Sequence, residues 1–454
     1  MFSCFTNKEF LRRFLKISMP VMISAFISFL VSFLDNVMVG TVSNEAVSGV
    51  YAANEVTYLV NLAGFGILEG AGIFIEQFTG ANDKEHTKQC FCYKCIVALL
   101  FLLIVMPVVY FFGQYLIYLF CYRDSNYLKI LEEGKNYLYI VALSYIPFMI
   151  GYVYSTSLRE IGKTKHAMIS SMVAVVANVF FNFIFIIVLK QGAIGAAIAT
   201  IIARVLEMFY LIFISSINKF SFCDKAFKNF KIEKELFKKI TSKGWLLFIN
   251  EIGFSVGTVM QSLAFSQRDG VLSSISIVTT ISNIFMILIN GLSVGIGVMV
   301  GSSLGSSDFE KAKSDNKNIN LLGFYTSVFI GLILISLSYV LPKLFTEVTD
   351  EQKILATKLI IIYGSLLWAN CLSLTSYYTL RVGGKTLLTF LLDTGTMLVF
   401  YVPLSWILAM ATRLDMIYIY LIIRSLDVLK ASLGIYLMKR GSWVNNLTLI
   451  NQNA

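Results

Sequence analysis

Five prolines and two histidines in 454 residues leave little to interrupt a helix and little to hold a metal. Charge is also scarce. Only 14% of residues are charged against 57% hydrophobic, and the mean hydropathy is +0.74. A chain this apolar is not a soluble globular domain; it fits a polytopic membrane protein. No HExxH, GxSxG or Walker A pattern is present, and the two histidines, His86 and His166, fall near expected cytoplasmic helix ends. These absences weigh against a membrane-embedded enzyme and against direct drive by ATP. The seven cysteines form no disulfide framework. Cys90, Cys92 and Cys95 cluster four to nine residues after His86, but not at zinc-finger spacing. They read as reduced structural thiols at a cytoplasmic helix end.

Long apolar runs fill the sequence. Twelve are long enough to cross a bilayer: 17–40, 53–79, 91–116, 136–157, 166–189, 192–216, 245–267, 273–302, 319–341, 354–380, 386–410 and 414–438. The first follows Lys8, Arg12, Arg13 and Lys16 but lacks an A-x-A-like cleavage site, so it is expected to be a retained helix. The net charge of +10 does not call for nucleic acid, because the Lys and Arg lie between apolar segments. Most fall in loops that share a side with the N-terminus, with eight lysines in 217–244 alone. The positive-inside rule then places both termini in the cytoplasm. The expected organisation is an N-terminal six-helix lobe (1–216), a basic cytoplasmic linker (217–244), a C-terminal six-helix lobe (245–440) and a cytoplasmic tail (441–454).

The two halves repeat. Gly66 to Lys88 aligns without gaps on Gly291 to Lys313, sharing Gly66/Gly291, Gly70/Gly295, Gly72/Gly297, Gly80/Gly305, Asp83/Asp308, Glu85/Glu310 and Lys88/Lys313. Leu158-Arg159-Glu160-Ile161-Gly162-Lys163-Thr164 matches Leu380-Arg381-Val382-Gly383-Gly384-Lys385-Thr386. The offsets, 225 and 222, agree. Six segments per half is an even number, so the halves are expected to be parallel repeats, as in transporters that bind substrate between halves. The Gly66/Gly70 and Gly291/Gly295 pairs read as close helix packing.

Asp35, in Leu34-Asp35-Asn36-Val37-Met38-Val39-Gly40 at the end of the first segment, is a carboxylate in an apolar run. Such a residue is expensive and marks an ion or proton pathway. The plainer reading is a solvated acid near the outer interface. Glu69 lies mid-segment where the second repeat has Val294, and reads as a cleft-facing acid. Arg204/Glu207 and Arg424/Asp427 are i,i+3 pairs expected to neutralise each other. Asp393 receives no role.

Met19-Pro20, the Asp35 motif, Gly80-Ala81-Asn82-Asp83, the paired Leu-Arg-x-x-Gly-Lys-Thr motifs, Gly195-Ala196-Ala197-Ile198-Ala199-Thr200 and Ile249-Asn250-Glu251 together resemble the MATE (multidrug and toxic compound extrusion) transporters of the MOP flippase superfamily. The similarity spans essentially the whole chain and is closest to NorM-like and DinF-like bacterial members. It implies an all-α membrane protein, with twelve helices in two six-helix parallel-repeat lobes forming a V-shaped cleft. It also implies antiport of lipophilic, often cationic small molecules against H+ or Na+, with no cofactor, in the bacterial inner membrane. A monomer is expected.

The resemblance further implies a first-lobe cation site at Asp35, Asn178, Asn182 and Thr200, which would be metal ligands if the ion is sodium. Asn178 and Asn182 share one helix face. Some members have an acid at the Asn182 position; with Asn there, sodium and protons both stay open. In the second lobe Glu251 matches a functional acid of NorM-like members, while a glutamate near a helix end is the bland reading. Asn370 stands where those members have another acid, and joins Glu69 as an expected cleft residue. A lipid-linked precursor flippase of the same superfamily is the alternative; it would want a cleft richer in Lys and Arg than the mostly acidic intramembrane charges here.

Overall fold

In a bilayer every backbone N–H and C=O must be paired within the segment, so apolar runs of this length fold as helices. The computed structural model describes residues 7–39, 44–121, 126–228, 230–268, 271–345 and 348–449, and among them it is all-helical. Twelve long helices follow in order: α1 Lys8–Val39, α2 Asn44–Gly80, α3 Lys84–Cys121, α4 Tyr127–Glu160, α5 Thr164–Val188, α6 Gly192–Asn218, α7 Lys234–Phe265, α8 Ser273–Gly305, α9 Phe309–Leu337, α10 Asp350–Val382, α11 Thr386–Ala411 and α12 Met416–Lys439. Ten of the helices among the described residues are long and apolar enough to span a membrane. α12 misses that measure because Arg424, Asp427 and Lys430 interrupt its apolar run. Several helices begin well before the apolar segments do: α2, α3 and α4 start at Asn44, Lys84 and Tyr127 rather than near 53, 91 and 136. Polar turns continue a helix into water, and hydropathy does not register them.

The chain divides into two units. One comprises Met1–Ser18, Gly80–Asn82 and Trp245–Ala454; the other comprises Met19–Thr79 and Asp83–Gly244. Each has its own apolar core. In the first, Phe285, Ile289 and Leu292 of α8 pack with Leu359, Ile360 and Leu367 of α10 and with Ile419 and Ile423 of α12. In the second, Phe91 of α3, Tyr145 and Leu158 of α4 and Leu211 of α6 belong to one core that extends to Phe222 of the linker, whose ring packs on Phe91 and Tyr154. Cys223, also in the linker, is half-buried, and burial pushes its thiol up to about 11. At neutral pH it is therefore a thiol rather than a reactive thiolate.

The sequence duplication survives in backbone detail. Asn82 and Ser307 occupy the same turn of each half with φ of 56° and 61°. In both turns the next residue is an Asp whose N–H bonds five residues back (Asp83 to Phe78 and Asp308 to Ser303, both 2.9 Å). Each Asp then caps the following helix, accepting from the N–H of His86 (3.0 Å) or of Lys311 (3.1 Å). Gly162 and Gly384 close α4 and α10 with φ of 76° and 71°. These left-handed positions explain the shared glycines of the Leu-Arg motifs.

Candidate functional site

α5 and α6 pack closely in their unit, and three of the expected first-lobe residues meet there. Asn178 and Asn182 lie one turn apart on α5, so their side chains point the same way. Both are buried. Asn182 donates through Nδ2 to Asn178 Oδ1 at 3.2 Å, and Asn178 donates to Thr200 Oγ1 at 3.4 Å. Thr200 in turn donates to the Ala196 carbonyl at 3.0 Å. The result is a chain of amide and hydroxyl dipoles, with hard oxygens of the kind a small cation accepts. α5 passes into a π-helical stretch, Phe183–Val188, immediately after Asn182. Such stretches are frequent at functional positions. Asp35 lies on α1, but its side chain is outside the described residues.

The other unit holds a second polar cluster, built on α7, α10, α11 and α12. Glu251 is half-buried, and its Oε1 accepts from the Tyr377 hydroxyl at 3.3 Å. The preceding Asn250 is fully buried and reaches further. Its Nδ2 donates to Asp393 Oδ2 at 3.1 Å and to Tyr377 Oη at 3.3 Å. Its Oδ1 accepts from the Thr394 hydroxyl at 2.9 Å and the Thr394 N–H at 3.4 Å. Asp393 completes the group through Lys430, whose Nζ donates to Oδ1 at 2.6 Å. Asp393 and Lys430 are 7% and 9% exposed, so this ion pair is made inside the helix bundle of its unit. The Lys430 ammonium also lies 5.7 Å from the centre of the Phe254 ring. Asp393 sits in a π-helical stretch, Leu391–Gly395.

Sequence reasoning left Asp393 without a role and passed over Lys430. The signal was available: a lysine in the apolar run 414–438 is as costly as an aspartate and calls for a partner. Glu69 on α2 and Asn370 on α10 are both half-buried and belong to different units. Arg204 and Glu207 pair at 2.8 Å. Arg424 faces Asp427 at 3.7 Å, and Asp427 also accepts from Tyr401 at 2.6 Å. His86 turns to Asp83, with Nδ1 at 2.6 Å from Oδ2, and to Glu233 of the linker. Cys90 and Cys92 are buried free thiols.

Comparison with known proteins gives one answer. A family model described as MatE matches residues 20–184 and 247–407. A probable multidrug resistance protein NorM of Thermotoga maritima is 21% identical over 461 residues, covering 98% of this chain and 96% of that protein. Multidrug and toxin extrusion protein 1 of Homo sapiens is 23% identical over 415 residues, covering 90% of this chain and 70% of that protein. A solved structure described as the outward-facing conformation of a multidrug resistance MATE family transporter of the MOP superfamily aligns with a TM-score of 0.84 at 17% identity, over 97% of this chain and 96% of that one. A MOP superfamily transporter from Pyrococcus furiosus, described as having a binding pocket of reverse polarity, also gives 0.84, at 16% identity over 95% of both chains. At these identities the structural likeness speaks to fold.

Proposed function

The chain belongs to the MatE family, matched in both of its halves, and from that premise we propose that it exports lipophilic, often cationic small molecules in exchange for a cation. It is a multi-pass membrane transporter rather than an enzyme. The coupling ion is H+ or Na+, and transport proceeds by alternating access across a bacterial cytoplasmic membrane with both termini inside. The observation that carries the reading is the buried Asn178–Asn182–Thr200 chain. It supplies oxygens on α5 and α6, the helices from which the first-lobe site was expected to meet Asp35 of α1. Asp35 is the charge at that site in this reading; the amides and the hydroxyl orient or ligate the ion.

The flippase alternative finds less support. Among the described residues the buried cations Lys94 and Lys430 each already face a carboxylate, at 2.6 Å in both cases. A lipid pyrophosphate would have to displace those carboxylates.

Transport of ethidium in proteoliposomes, under a sodium gradient and separately under a pH gradient, tests the reading. One gradient is expected to drive ethidium movement, and Asp35→Asn is expected to abolish it while the protein still folds. Full gradient-driven exchange in Asp35→Asn would sink the assignment.

A further inference from the structure

The second cluster differs chemically from the first. In the first, amide and hydroxyl oxygens meet at one place. In the second, both oxygens of Asp393 are held by N–H donors, Oδ1 by the Lys430 ammonium and Oδ2 by the Asn250 amide. The Asn250 oxygen is itself turned to Thr394, which fixes the amide with its NH2 toward Asp393. A metal ion would have to strip both donors and find other oxygens. A proton needs only one carboxylate oxygen, the one Lys430 now holds. A buried carboxylate must keep a positive partner. Here the candidate partners are a tethered ammonium and a mobile proton, and they compete for the same atom.

We propose that Asp393 and Lys430 form a proton-exchange pair in the second half, resting on the cation-coupled reading above and adding to it a site that takes protons and not sodium. The cycle balances. A proton from one side adds to the Asp393 carboxylate, forming an O–H bond and releasing the ammonium. Lys430 then loses one N–H proton to water on the other side. Finally the carboxylic acid passes its proton to the neutral amine and the ion pair reforms. One proton enters, one leaves, and nothing is oxidised or reduced. The surrounding groups suit this. Asn250 of α7 steadies the carboxylate, and Tyr377 of α10 links Asn250 to Glu251. One turn along α12, Asp427 is occupied by Tyr401 and Arg424. Asp393 also sits in the π-helical stretch Leu391–Gly395, a departure from the regular α-helical ladder of the kind frequent at functional positions.

The test uses the full chain in proteoliposomes, with ethidium outside and a pH dye inside. Lys430→Arg keeps the charge pair, but a guanidinium does not give up its proton. Proton-driven ethidium exchange is expected to fall about tenfold or more in that variant. The double variant Asp393→Asn/Lys430→Met removes both charges together, so it avoids a stranded buried ion. It is expected to lose the same proton step. If the pair takes up a proton, infrared difference spectra of the unmodified, lipid-embedded protein on acidification are expected to contain a buried carboxylic-acid carbonyl band that the double variant lacks. Exchange at the parent rate in both variants, or a band unchanged in the double variant, overturns the pair. If Asp35→Asn abolishes exchange while Lys430→Arg leaves it intact, coupled antiport survives and this proposal does not. If the unmodified protein moves no ethidium under either gradient, the antiport reading fails, and the infrared band still decides whether Asp393 takes up a proton.

Discussion

The two halves place polar clusters on equivalent helices but at different positions along them. In the first half the amides and hydroxyl lie on α5 and α6, with the acid expected on α1. In the second the corresponding helices α11, α12 and α7 carry Asp393, Lys430 and Asn250. Counted from the matching Thr164 and Thr386 helix starts, Asp393 comes seven residues sooner than Asn178. At 1.5 Å per residue that is about 10 Å nearer the end with the Leu-Arg turns. Where the first half has Asn178 and Asn182, the second has Phe400 and Leu404. Where the second has Asp393, the first has Ser171. Each half has therefore kept one cluster and made the other level apolar or neutral.

The same divergence recurs on other helices of each half. Between α3 and α4, Lys94 is fully buried against both oxygens of Glu160, at 2.6 and 2.7 Å. Between α9 and α10 there is instead a neutral ladder. Thr375 donates to Asn320 and Thr379 to Asn316, both at 2.7 Å. Duplication preserved the turns, while side-chain chemistry drifted between ionic and neutral solutions.

Three measurements press on this contrast. The largest effect is expected from Lys430→Ala, which strands Asp393 and should cost about 3–5 kcal/mol in thermal unfolding of the detergent-solubilised protein. Adding Asp393→Leu should recover most of that loss. Next, Gly162→Ala and Gly384→Ala should each cost about 1–2 kcal/mol, because both residues are left-handed. Similar costs would confirm a shared scaffold; a cost in only one half would break the equivalence. A comparable change in stability, about 1–2 kcal/mol, is expected for Asn178→Ala, which loses the hydrogen bonds to both Asn182 and Thr200. Its functional mark should be larger: a raised cation concentration for half-maximal ethidium exchange. An unchanged cation dependence would remove Asn178 from the site.

Much of the fold was readable from sequence. Bilayer-length apolar runs, two shared glycine turns and the spacing of Asn178 and Asn182 all follow from local rules of period and backbone conformation. Pairings across helices were not readable. Asn250 drew notice only as the neighbour of Glu251, yet it is Asn250 that reaches Asp393, because helix rotation decides which of two adjacent side chains faces the core. Lys430 was hidden for a similar reason. Its partner lies 37 residues away on another helix, and no periodicity links the two.

The three charges that keep α12 from qualifying as an apolar span also bear on how the protein is made. On insertion scales each centrally placed charge costs about 2.5–3.5 kcal/mol, so α12 enters lipid poorly by itself. Its lysine and aspartate find their partners, Asp393 and Tyr401, on the helix synthesised just before it. α11 and α12 are therefore best delivered to the bilayer together, as one hairpin whose charges cancel on entry.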